Sequence, residues 1–255
     1  MKMKTTPLSS KLQMTLIIAL PLLLFGWRAE SSYCEPNQTF AQVAYLLDGQ
    51  PYGPLSAYDT DHDGRQELLL TDQGGRARIY EHIGNNQYEL VLNMGSNRIF
   101  LAVGDIDSDS LTDMVIQTYD SLEVFESSAP DSYPAHCVWQ WEIPYPDHYA
   151  YTWITDLDQD GKREMLISHM GHLVYVFETT ADNMYVQVFK DSVWTPYGSI
   201  SQLCNGDFDG DGKREFVTSD SEGNVIVYEN TAVGVDSFAI TWTGSVPTRT
   251  AYSVA

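Results

Sequence analysis

Short apolar or β-branched runs recur along the chain between acidic, glycine-bearing stretches, and each run is of strand rather than helix length. ELLLTD from Glu67, DMVIQT from Asp113, EMLISH from Glu164 and EFVTSD from Glu215 form one equivalent set. A second set, RARIYEH, SLEVFES, HLVYVFE and NVIVYEN, follows it, and a third comprises YELVLNM, CVWQWEI, YVQVFKD and FAITWTG. RIFLAV, from Arg98 to Val103, supplies a strand ahead of DMVIQT. Helical periodicity is confined to the N-terminus, so the pattern predicts an all-β chain built from units of about four strands.

Each unit carries an acidic cassette ahead of its apolar run: DTDHDGRQE from Asp59, DIDSDSLTD from Asp105, DLDQDGKRE from Asp156 and DFDGDGKRE from Asp207. Side-chain oxygens fall at positions 1, 3, 5 and 9, which suits a hard divalent cation that collects six or seven oxygen ligands. The predicted ligand sets are Asp59, Asp61, Asp63 and Glu67; Asp105, Asp107, Asp109 and Asp113; Asp156, Asp158, Asp160 and Glu164; and Asp207, Asp209, Asp211 and Glu215. The backbone carbonyl at position 7 (Arg65, Leu111, Lys162 and Lys213) adds an oxygen to each set. Calcium is the expected ion, one per cassette. Magnesium demands tighter octahedral geometry, and zinc would call for Cys or His at a ligand position.

An EF-hand loop shares the DxDxDG start but needs a bidentate Glu at position 12 and a helix afterwards. Position 12 is Leu70, Ile116, Ile167 and Thr218, and strand sequence follows. Glycine at position 6 permits the sharp turn at positive φ. In the second cassette Ser110 stands there and Leu111 replaces the basic residue at position 7, so this site is expected to bind weakest.

Cassette starts are 46, 51 and 51 residues apart. Four-stranded units at this period predict a β-propeller, and the dipeptides typical of WD40 and kelch repeats are missing. GDID at Gly104, NGDFDGDG at Asn205 and the strand after each resemble the FG-GAP and VCBS repeats, calcium-bearing propeller repeats also found in integrin alpha subunits. TDLDQDG at Thr155 and YDTDHDG at Tyr58 lack the preceding glycine. The resemblance covers roughly residues 40–255. It implies metal loops gathered on one rim, where they brace the blades, with partners bound elsewhere.

Blades are expected near residues 51–98, 99–149, 150–198 and 199–244, within a propeller region of 32–255. An odd strand, FAQVAYLLD, occupies 40–48, and VPTRTAYSVA at 246–255 starts a further blade. Unpaired edges at both ends predict that the sequence is part of a longer protein whose remaining blades lie beyond its C-terminus.

Lys2, Lys4 and Lys11 precede the apolar run from Met14 to Phe25, and small and polar residues follow. This is a signal peptide by length and flanks, residues 1–31, with cleavage after Ala29 or Ser31. The protein is therefore expected to be secreted or displayed at the cell surface, where calcium is abundant. Net charge is −21. So acidic a body excludes nucleic acid and anionic membrane as natural partners. With three cysteines there is no disulfide framework, and Cys137 and Cys204 are expected to be small buried apolar residues.

None of the six histidines stands in a nucleophile motif. His169 and His172 are expected at a surface turn. The aromatic stretch from Ser128 to Trp153 carries Trp139 and Trp141 on one strand face, either as packing between blades or as a platform for sugars and peptides. The leading expectation is an exported propeller that binds an extracellular protein or a surface glycan, its calcium structural. The alternatives are a secreted polysaccharide lyase or hydrolase built on such a propeller, and a spacer.

Overall fold

The computed structural model describes residues 53–144, 150–169, 173–192, 200–220 and 223–245, all within the compact unit Leu46–Ala255. The leader at 1–31, the strand at 40–48, His172 and the segment at 246–255 lie outside the described residues.

Four antiparallel sheets of four strands follow one another in chain order. The first comprises β1 (Leu55–Tyr58), β2 (Glu67–Thr71), β3 (Arg76–Gly84) and β4 (Gln87–Ser96); the second β5 (Ile99–Gly104), β6 (Asp113–Gln117), β7 (Ser121–Glu126) and β8 (His136–Glu142). The third comprises β9 (Ala150–Thr155), β10 (Glu164–His169), β11 (Leu173–Ala181) and β12 (Met184–Ser192); the fourth β13 (Ile200–Gly206), β14 (Glu215–Asp220), β15 (Asn224–Asn230) and β16 (Phe238–Ser245). Each strand pairs with its sequence neighbours, so every sheet is a meander. First strands of successive sheets lie side by side, β1 by β5, β5 by β9 and β9 by β13. Fourth strands are the most exposed. These sheets are the blades of a β-propeller, and no helix occurs among the described residues.

The core lies between blades, which explains the continuous apolar runs of the second strands. Residues alternate between the two faces of a strand, and here both faces are covered. In β6, Met114 and Ile116 join Leu69 and Ile79 of the first blade, while Val115 joins Met165, Ile167 and Tyr175 of the third. In β10, Leu166 turns the other way, to Leu203, Phe216 and Tyr228 of the fourth blade.

The aromatic pair of β8 belongs to this packing. Trp139 meets Phe177 and Tyr185 edge-on at 5.4 Å, and Trp141 meets Tyr175 at 4.8 Å and Phe177 at 5.0 Å. All three partners belong to the third blade. At the next seam Phe216 stacks on Tyr228 at 4.7 Å with Phe189 and Phe238 against them.

Cys137 corrects its expectation: it is exposed, because β8 is the outer strand of its blade, and Cys204 is only half-buried in β13. Burial nonetheless pushes both thiols above their ordinary pKa.

Candidate metal centres

Every cassette occupies the turn between the first and second strands of its blade, so all four share one geometry. The N–H of position 7 donates to position 5: Arg65 to Asp63 at 2.8 Å, Leu111 to Asp109 at 2.7 Å, and Lys162 to Asp160 and Lys213 to Asp211 at 2.8 Å. The N–H of position 6 donates to position 1, from Gly64 to Asp59 at 3.0 Å, and from Ser110 to Asp105, Gly161 to Asp156 and Gly212 to Asp207 at 3.2 Å. Gly64, Gly161 and Gly212 have φ near 90°, and Ser110 takes the same left-handed turn at 74°. Position 4 is left-handed too, and His62, Ser108 and Gln159 are not glycine. Non-glycine residues in this region are strained, so the first three loops hold their shape against a local cost, which Gly210 and Gly212 spare the fourth.

The position-9 carboxylate is the anchor. One of its oxygens accepts the N–H of position 2: Thr60 to Glu67 at 2.5 Å, Ile106 to Asp113 at 2.7 Å, Leu157 to Glu164, and Phe208 to Glu215 at 2.6 Å. The other oxygen, in all four, is buried without a hydrogen-bond partner. A buried carboxylate oxygen left unpaired is expensive, and in four equivalent places it marks a position for a cation.

Three ligand sets converge as expected: Asp59, Asp61, Asp63 and Glu67; Asp156, Asp158, Asp160 and Glu164; Asp207, Asp209, Asp211 and Glu215. In each set the carboxylate oxygens lie within 4.8 Å of one another. The second cassette divides into Asp105, Asp107 and Asp113, and a group of Asp107, Asp109 and Glu126. Glu126 is absent from the sequence-based ligand set. A donor set made only of carboxylate oxygens fits a hard cation.

Crowding shows in the acidities. Burial, with neighbouring carboxylates adding to it, pushes Glu67 up to about 7 and both Asp113 and Glu164 up to about 8. Glu215, Asp107 and Asp158 shift upward for the same reason.

Across each sheet, the anchor faces a second acid on the third strand. Asp113 is registered with Glu126, Glu164 with Glu178 and Glu215 with Glu229, and the Leu68–Tyr80 pairing sets Glu67 against Glu81. Like charges directly opposite repel. The position-7 side chain offsets this in three blades: Lys162 pairs with Glu178, Lys213 with Glu229 at 2.5 Å, and Arg65 lies 3.9 Å from Glu81.

The loops also face the blade seams. Tyr133 of the second blade donates to Glu81 at 3.0 Å, and Thr112 lies 3.3 Å from a ring nitrogen of His62. From the third blade, Asn183 N–H donates to Asp107 at 2.7 Å and Arg163 to the Asp105 carbonyl at 2.7 Å. From the fourth, Gly234 N–H donates to the Asp158 carbonyl at 2.6 Å. The first three loops are therefore joints between blades.

No protein-family model and no curated protein matches the chain. Among solved structures, it is similar to BBS1N crystallised in complex with ARL6DN, with a TM-score of 0.54 and 8% identity over 78% of this chain and 58% of that one. It is also similar to a protein from Lactobacillus plantarum, at a TM-score of 0.53 and 10% identity over 70% of this chain and 54% of that one. The chain thus spans a little over half the length of each. At such identities the likeness is one of fold.

Proposed function

We propose that this protein is an exported β-propeller of FG-GAP/VCBS type in which calcium in the four loops locks blade to blade, and that the propeller serves as a binding module for an extracellular protein or surface glycan. One observation carries the calcium reading. In all four loops the anchor carboxylate ties one oxygen to the position-2 amide and leaves the other buried and unpaired beside further carboxylates. Asp59, Asp61, Asp63 and Glu67, and their counterparts, would hold the ion, with the carbonyls of Arg65, Leu111, Lys162 and Lys213 completing the set. A bound divalent cation supplies the positive charge that these carboxylates otherwise lack, and so removes their mutual repulsion. Calcium accepts such flexible, oxygen-rich surroundings more readily than magnesium does.

The first three loops lie at the seams, so charge neutralised there is stability gained between blades. The binding role rests on the resemblance and on apolar side chains left in the open. Trp153 and Leu55, 47% and 63% exposed, line a cavity of about 680 Å³ among the first strands, with Tyr151 and Ala102. Aromatic faces of this kind stack on sugar rings and apolar side chains. A glycan array and an extracellular-protein panel, each probed with the calcium-loaded protein and with Trp153→Ala, test this part. Calcium-dependent binding lost in the variant supports the module, and no binding to either panel contradicts it. Export is tested by the N-terminus of the secreted protein, expected to begin just after Ala29 or Ser31.

A further inference from the structure

The second cassette differs from the others in a way that its sequence understates. In the first, third and fourth blades, the glutamate opposite the anchor lies beside a basic residue at position 7 of the loop. In the second blade position 7 is Leu111, and Glu126 has no such cation. Burial raises the Glu126 carboxyl above its ordinary pKa, with the Asn183 side chain partly offsetting it. Glu126 Oε1 is buried with no hydrogen-bond partner, on a residue only 9% exposed. A carboxylate oxygen of Glu126 lies within 4.8 Å of carboxylate oxygens of Asp107 and Asp109.

A second unpaired group stands beside it. The Tyr185 hydroxyl, on a residue 6% exposed, has no hydrogen-bond partner and feels the charges of Asp113, Asp107, Glu126 and Asp109. Asn183 Oδ1 is likewise buried and unpaired, while its backbone N–H holds Asp107. The second blade's third strand and the third blade's β11–β12 turn thus both bring oxygen to this loop.

We propose that Glu126 is a fifth carboxylate ligand of the second cassette, taking there the cation that its counterparts exchange for Arg65, Lys162 and Lys213. This rests on the reading of the cassettes as cation sites. With no base at position 7, the acid that each third strand sets against its anchor is left free in this loop to serve the cation. The site suits calcium, and a trivalent lanthanide still more, because ligand charge raises affinity for hard cations.

The test is a titration of the whole calcium-free protein with calcium by calorimetry and with terbium by luminescence, in which Tyr185 serves as the nearest sensitiser of the second site. Glu126→Gln is expected to weaken one of the four sites by about tenfold or more, because even groups that merely orient a ligand cost that much when changed. Leu111→Lys should weaken the same site by giving Glu126 an ion-pair partner, and Glu142→Gln, on the exposed outer strand β8, should leave all four unchanged. Retention of fold in each variant is checked by far-ultraviolet circular dichroism in excess calcium. Titrations of Glu126→Gln and Leu111→Lys that superimpose on wild type, when wild type binds cations, overturn this proposal alone. A wild-type protein that binds none overturns the reading of the cassettes with it.

Discussion

Glu67 holds Thr60 twice through a single carboxylate oxygen, accepting its backbone N–H and its hydroxyl, each at 2.5 Å, while the other oxygen is left buried and unpaired. The same division of the two oxygens recurs at Asp113, Glu164 and Glu215 through the amide alone. It separates the two tasks of the anchor, shaping the loop and receiving a cation.

Glu164→Gln should therefore act in opposite directions with and without calcium. In calcium the variant loses a ligand and should be destabilised by about 1–3 kcal/mol. With a chelator at pH 8 it should be at least as stable as wild type, since it removes a buried carboxylate that resists ionisation. Paired thermal melts in the two buffers check the reversal.

The acidities give the chelated protein a pH dependence of defined sign. Glu67, Asp113 and Glu164 have folded pKa values of about 7, 8 and 8, above their unfolded values. The folded state therefore binds more protons than the unfolded one across this interval, and stability falls as pH rises. Stability of the chelated protein at pH 5 should exceed that at pH 8, most of the loss lying between about pH 6 and 8. Urea midpoints measured with chelator across that range test it, and a rise toward pH 8 would count against these burials. Calcium binding, which needs the carboxylates ionised, should strengthen over the same interval.

Ser110 occupies a turn at φ 74° that its counterparts fill with glycine. Ser110→Gly should stabilise the protein by a few tenths to about 1 kcal/mol, relief of backbone strain being partly offset by glycine's larger unfolded-state entropy. Gly161→Ala should cost about 1–2 kcal/mol by imposing that strain on the third cassette. Both are read from denaturant midpoints in saturating calcium.

Trp141 fills the seam between the second and third blades, whereas Trp242 is 55% exposed on the outer strand β16. Trp141→Ala should cost about 3–5 kcal/mol, and Trp242→Ala should stay within about 0.5 kcal/mol. Equal effects would show that the aromatic pair of β8 is not core.

Much of this was legible in the residues. The anchor acid opens each second strand, so the sequence of β2, β6, β10 and β14 announces both loop and blade. Continuous rather than alternating apolar runs there reflect burial on both faces, as Met114 and Val115 show by entering different seams. Cys137 misled because a small apolar residue opening the run Cys137-Val138-Trp139 looks internal, yet the fourth strand of a blade is its outer edge. Glu126 escaped because a ligand from a different strand has no fixed spacing to the cassette. Its signal was the Glu that ends the apolar run of every third strand, read together with the missing base at Leu111. The seam contacts of Asn183, Arg163 and Gly234 depend on how blades meet, which no local pattern encodes.

The central claim, that four acidic loops bind calcium and thereby hold the blades together, is tested most directly by calorimetric melting of the protein with excess chelator and with 1 mM calcium. With dissociation constants of roughly 0.1 mM, each site contributes about 1.4 kcal/mol at about 1 mM calcium. Four sites should then raise the Tm by on the order of 10–20 °C. Magnesium at the same concentration should give a much smaller shift. Superimposable melting curves with calcium and with chelator would contradict the account.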